Sequence, residues 1–233
     1  MDEKSLLRKI KVIQVINIIG FLGMLIINAL ANILPIGGKG TGELSAQYPN
    51  LFVPAGYTFS IWGLIYLMLL CFTIYQARDL FSNSRKSEEL HNKVGLFFFI
   101  TCLLNIGWIF AWHYELVLFS VIIMLLLLDS LISLYLKLGI GKNDFTLIER
   151  LFVQIPFSLY LGWITIAIVA NITAFLVNIG WSRFGLSEWF WFWLVILVCV
   201  IIEIIVFIKR KDVVFNLVAI WAFIGILVAN LPS

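Results

Sequence analysis

Residues Leu116–Leu136, LVLFSVIIMLLLLDSLISLYL, decide how this chain folds, because Asp129 is their only charged residue. At a rise of about 1.5 Å per residue, a helix of that length covers the roughly 30 Å hydrocarbon core of a bilayer. A membrane β-strand would alternate apolar and polar side chains, and this run does not. Six further apolar runs flank it, at 12–34, 55–77 and 94–112 before it and at 151–178, 188–208 and 213–230 after it. Of the 233 residues, 62% are hydrophobic and 12% charged, with a mean hydropathy of +1.05. Soluble domains carry about 45–50% apolar and about 25% charged residues, so a soluble enzyme with one anchor is excluded. The chain reads as an all-α, polytopic membrane helix bundle of seven transmembrane helices in a cell membrane. Lys4, Arg8, Lys9 and Lys11 precede the first run like a signal peptide's basic region. The run is too long for such a leader and shows no cleavage site, which makes it a retained helix.

Basic residues orient the bundle. Four lie before the first run, four in the second loop (Arg78, Arg85, Lys86, Lys93), three in the fourth (Lys137, Lys142, Arg150) and three in the sixth (Lys209, Arg210, Lys211). The opposite side holds only Lys39 and Arg183, so 14 of 16 basic residues share the N-terminal side. The positive-inside rule then places the N-terminus in the cytoplasm and, with seven spans, the C-terminus outside.

Several functions drop out. Gly37–Gly42 is glycine-rich, but Lys39 is followed by Gly40 rather than Ser or Thr, and no strand precedes it, so it is no phosphate loop. Cys71, Cys102 and Cys199 lie in three different runs, and His91 and His113 lack ligand spacing, so no disulfide framework or metal site is expected. The last run contains no Lys, which excludes a retinal Schiff base. A nucleic-acid partner is not expected.

Aromatic and amide residues form a narrower pattern. Phe59, Trp62 and Tyr66 occupy i, i+3 and i+7 of the second run, and Asn105, Trp108 and Trp112 repeat those offsets in the third. In the fifth, Tyr160, Trp163, Ala167 and Asn171 sit at i, i+3, i+7 and i+11. Each set shares one helix face. All three faces converge in the outer half of the membrane, at the level of Asn28 and Asn32 and beneath the long first loop. Amides in hydrocarbon need partners, so Asn105 and Asn171 are expected to face the interior. Two readings stand side by side: amides as interhelical glue, or aromatic walls of a pocket for a flat, apolar ligand. Trp181, Trp189, Trp191 and Trp193 instead flank the fifth loop, as an interfacial belt would.

The same residues resemble the translocator protein / tryptophan-rich sensory protein (TspO/MBR) family. Pro54, Trp62 and Tyr66 match the family's second-helix spacing, and Leu104, Asn105, Trp108 and Trp112 its third. Tyr160, Trp163 and Asn171 match the fifth, although Leu159 replaces a family Pro and Pro156 lies one turn earlier. The resemblance covers roughly residues 10–178, so residues 1–178 read as a five-helix domain and 179–233 as two added helices. It implies a pocket capped by the first loop that binds porphyrins, haem-related tetrapyrroles or sterols, in a sensing, receptor or ligand-handling role. A homodimer is implied too, since family members are often dimeric. By position Trp62 and Trp163 resemble the Trp pair implicated in family porphyrin chemistry. An enzymatic role in porphyrin breakdown would rest on the family alone, because no nucleophile–base constellation is present.

Asp129 and Glu203 are the acids deepest within apolar runs. Intramembrane carboxylates cost at least about 2.5 kcal/mol on insertion scales and mark candidate functional sites. They suggest a second reading, a proton- or cation-coupled transporter. Lys209 is a candidate partner for Glu203, and Ser130 and Ser133 are candidates for Asp129.

Overall fold

The computed structural model describes residues 3–34, 36–82 and 87–231. Pro35 at the start of the first loop, and Arg85 and Lys86 of the second, lie outside the described residues. Every apolar run forms a helix, since a backbone without water must satisfy its own polar groups. The helices are α1 (Glu3–Ile33), α2 (Thr41–Ala46), α3 (Ile61–Gln76), α4 (Glu88–Val94), α5 (Phe97–His113), α6 (Val117–Leu138), α7 (Leu147–Glu149), α8 (Ile155–Asn178), α9 (Glu188–Arg210) and α10 (Val213–Ala229). No strand occurs among the described residues.

Local chemistry sets the breaks. Gly139 ends α6 in the left-handed conformation (φ 74°) that a glycine C-cap favours. Ser187 caps α9 through Phe190 N–H, and Asp212 caps α10 through Phe215 N–H. Pro156 lacks an N–H and crowds the carbonyl four residues back, and the chain there forms a π-turn over Arg150–Gln154 before α8 begins.

Five described helical segments are long and apolar enough to cross a membrane: Glu3–Ile33, Gly56–Gln76, Val117–Leu138, Leu147–Asn178 and Glu188–Arg210. The α4–α5 pair passes the same test together but is bent by 44°, and α10 is apolar but shorter. The chain is therefore a membrane helix bundle. Packing runs from α1 to α5, α6, α8 and α10, with α3 against α1 and α8, while α9 packs on α10. Mid-bundle, Phe72 meets Phe98 and Phe157 edge-on at centroid distances of 4.9 and 4.7 Å.

Buried polar side chains gather at both ends of this core. Away from the first loop, Gln14 donates to the Gln76 carbonyl at 2.9 Å, Asn17 donates to the Gly95 carbonyl at 3.3 Å, and His91 Nε2 lies 3.0 Å from the Gln76 carbonyl. That network ties α1 and α3 to α4. At the other end the first loop folds over the helix termini and frames the aromatic cluster.

Candidate functional site

The loop is fastened to α5. His113 Nδ1 lies 2.8 Å from the Ile36 carbonyl and its Nε2 3.1 Å from the Thr41 hydroxyl, so one tautomer serves both contacts. Trp112 Nε1 donates to the Thr41 carbonyl at 3.3 Å. A second fastening joins the loop to α10, where Ala55 N–H donates to the Gly225 carbonyl at 3.0 Å and Trp221 Nε1 to the Thr58 carbonyl at 3.0 Å. Gly225 permits this approach, because a Cβ there would collide with the Thr58 side chain. Gly162 on α8 does the same for α10, since its Cβ would lie 3.0 Å from the Phe215 carbonyl oxygen.

Beneath the loop the expected amides all face inward. Tyr66 donates to Asn28 Oδ1 at 2.5 Å, Asn28 Nδ2 to Asn105 Oδ1 at 2.6 Å, and Asn105 Nδ2 to the Tyr160 hydroxyl at 3.1 Å. This chain of bonds crosses from α3 through α1 and α5 to α8. Nearer the loop, Trp108 Nε1 donates to Asn171 Oδ1 at 3.0 Å, and Asn171 Nδ2 to the Ser120 hydroxyl at 2.9 Å. Asn105, Asn171 and Tyr160 are buried.

Trp62 is the hub of the aromatic faces. Its ring stacks on Tyr66 (5.4 Å, 17°) and Trp108 (6.0 Å, 29°), and meets Trp163 (6.1 Å, 82°) and Tyr160 (6.1 Å, 68°) by the edge. Phe59 closes on Trp163 at 6.1 Å, and Trp112 stacks on Trp108 at 6.2 Å. Such offset and T-shaped pairs each contribute about 0.5–1.5 kcal/mol beyond their burial. A cavity of about 40 Å³ remains, with Phe52, Pro54, Trp62, Trp163, Asn171 and Ala222 in its lining. Sites for drug-sized ligands span about 300–1,000 Å³, so the rings fill most of their own pocket. The amides tie helices together while the rings wall a small void.

One donor here is left over. Trp163 Nε1 is buried and has no hydrogen-bond partner among the described residues, although its ring lines the cavity. Next to this cavity, between Asn50–Phe52, the end of α8, the 181–183 segment and α9, lies a larger one of about 420 Å³. Phe52 lines both. At its rim Arg183 pairs with Glu188 at 3.4 Å, Glu188 accepts from Leu51 N–H at 3.2 Å, and Trp191 donates to the Arg183 carbonyl at 3.0 Å. Trp189 and Trp193 are exposed.

Ser120, Phe52, Ala222 and Ile226 were not among the expected site residues. Ser120 offered no signal beyond being a lone hydroxyl in an apolar run. For α10 the signal was a row of small residues, Ala219, Ala222 and Gly225, on one face.

The intramembrane acids do not share a site. Asp129 is exposed on α6, with no hydrogen bond or ion pair reaching it from the described residues, Ser130 and Ser133 included. Glu203 is buried against α10, and the anticipated pairing with Lys209 is not formed. All three cysteines are free.

A membrane helix bundle with an amide-braced aromatic cluster under its first loop is the class of protein that these features define. Residues 14–233 match the model of the family described as TSPO-like protein, and the chain belongs to that family. The match includes α9 and α10, beyond the residues that carried the motif resemblance. No curated protein and no solved structure matches the chain.

Proposed function

We propose that this protein binds a flat, apolar ligand carrying a hydrogen-bond acceptor, of the porphyrin, haem-related tetrapyrrole or sterol kind, beneath its first loop. The observation that carries this reading is the Trp163 N–H at the cavity wall, buried and without a hydrogen-bond partner among the described residues. A buried donor left unsatisfied costs about 1–3 kcal/mol, which an acceptor on a ligand would recover. Phe52 is the movable part: displaced, it joins the small cavity to the 420 Å³ one and provides room for a drug-sized body. The role is sensing or ligand handling, with the first loop as lid.

The bundle sits in the cell membrane with seven spans, N-terminus inside and C-terminus outside. At 17 residues each, α5 and α10 are at the short end of the spanning range of about 17–25. The polar helix α4 lies outside the span, turned away at the 44° bend. Tags at the two termini should be accessible from opposite faces of intact cells.

Protoporphyrin added to the purified protein should quench its Trp fluorescence. Changing both Trp62 and Trp163 to Phe should weaken that binding by about tenfold or more, through a lost N–H donor and smaller stacking surfaces. Changing Trp189 and Trp193 to Phe serves as the control and should leave affinity unaltered. Equal affinities in the two double variants would overturn the assignment of the pocket.

A further inference from the structure

A groove of about 290 Å³ runs between α9 and α10, far along the chain from the aromatic motifs. Val200 and Ile204 form one wall, Ala219 and Phe223 the other, and Glu203 lies between them with Asn216. Glu203 is 8% exposed, and neither carboxyl oxygen has a hydrogen-bond partner among the described residues. Among the described residues no Lys, Arg or His nitrogen lies within 4.0 Å of it. An ionised carboxylate is an acceptor only, and one buried without donor or cation is held at a heavy desolvation cost. The acid form carries no charge and removes most of that cost.

The surroundings point the same way. On α9 itself Cys199 lies one turn from Glu203, and the next ionisable groups are Lys209, Arg210 and Lys211 at its end. Arg210 is turned elsewhere, over the Tyr135 ring at 5.8 Å and towards the Ile140 carbonyl at 3.3 Å. From α10 the polar neighbour is Asn216, whose amide donates to the Asp212 carbonyl at 2.9 Å. The turn between the helices contributes Asp212, the N-cap of α10. Asp212 accepts from the Tyr135 hydroxyl at 2.8 Å, the Ser158 hydroxyl at 2.6 Å and Phe215 N–H at 3.2 Å. Asp212 thus has three converging donors, while Glu203 has none among the described residues.

A metal cation is the weaker occupant. Hard cations take about six or more oxygens, and no group of three His, Cys, Asp or Glu gathers among the described residues. We propose that Glu203 is a proton-binding site, a carboxyl held in its acid form in the apolar α9–α10 groove beside the hydrogen-bonded Asp212.

A hydrophobic carbodiimide tests this in the purified full-length protein in lipid vesicles. The acid's proton passes to a carbodiimide nitrogen and its oxygen bonds to the central carbon. The acyl group then migrates to nitrogen, so the adduct gains the mass of the whole reagent and nothing leaves. Dicyclohexylcarbodiimide should label residue 203 near pH 6, and the label should fall at least about tenfold by about pH 9 as the acid form is depleted. Glu203→Gln should lose the residue-203 adduct. An unlabelled Glu203 across that range, or labelling that does not depend on pH, would overturn the proposal. A second readout does not depend on reagent access. The neutral Gln variant should melt at or above the wild-type temperature near pH 6 and lose less stability towards pH 9. A Gln variant that is destabilised at pH 6 and parallels wild type to pH 9 would also count against it.

Discussion

Helices α8 and α9 are both long and apolar, yet the bundle uses them in opposite ways. The more apolar one is outside: the most apolar window of Glu188–Arg210 has mean hydropathy 3.0 and is 11% buried, against 1.9 and 56% for Leu147–Asn178. In water the order would be reversed. Within a bilayer the solvent is itself apolar, so burial is driven by groups that hydrocarbon cannot satisfy and by close packing of small residues. α8 carries Ser158, Tyr160, Gly162 and Asn171, each with a partner on another helix or at its N-cap. Along its apolar length α9 carries the single carboxyl of Glu203 and few close contacts.

The largest effect expected from that contrast is at Gly162. Gly162→Leu would drive a side chain into the Phe215 backbone and Val218, and overpacking of this kind costs about 1–3 kcal/mol or more. Leu197→Ala on the exposed face of α9 should change stability by no more than about 0.5 kcal/mol. Thermal unfolding in detergent compares the two, and similar losses would erase the distinction between the helices. A smaller effect is expected at Asn171. Its replacement by Leu leaves Trp108 N–H and the Ser120 hydroxyl without this amide, at about 1–2 kcal/mol. Full retention of stability would mean that the amide does not hold α8 in place.

The smallest concerns pH, at the polar network away from the first loop. Burial, the main cause, lowers the proton affinity of His91, and Arg78 adds to it, against the opposing Gln76 carbonyl and Asp79. The unfolded chain therefore takes up the proton first, near about pH 6.5. Stability should be fully present above that value and decline as pH falls through it towards the folded-state value. Replacing His91 with Gln should flatten this part of a melting-temperature profile, and an unchanged slope would assign the proton uptake to another group.

Much of this architecture is legible before any coordinates. The long apolar helices follow from run lengths, because a spanning segment must be apolar throughout. The inward turn of Asn105 and Asn171 follows from the cost of a bare amide in hydrocarbon. Less legible was how tightly Trp62, Trp108 and Trp163 pack on one another, since periodicity assigns a face and not the gap between faces. The role of α10 at the cavity was hidden for a different reason. Gly225 acts by being small, and what it admits, Thr58 and the backbone of Ala55, lies more than 160 residues earlier in the chain. Asp129 differs in another way: its type draws attention in the sequence, while its place on the bundle surface, without a partner among the described residues, is not legible there.

The bonds from Ala55 to Gly225 and from Trp221 to Thr58 also bear on how the protein is made. Synthesis runs from the N-terminus, so the lip of the aromatic pocket leaves the ribosome long before the helix that completes it. Until α10 packs against the first loop, the Ala55 N–H and the Thr58 carbonyl lack these partners and the wall at Ala222 is missing. Closure of the pocket is therefore among the last steps of assembly, and a nascent chain halted before α10 presents its indoles to whatever lipid or chaperone is at hand.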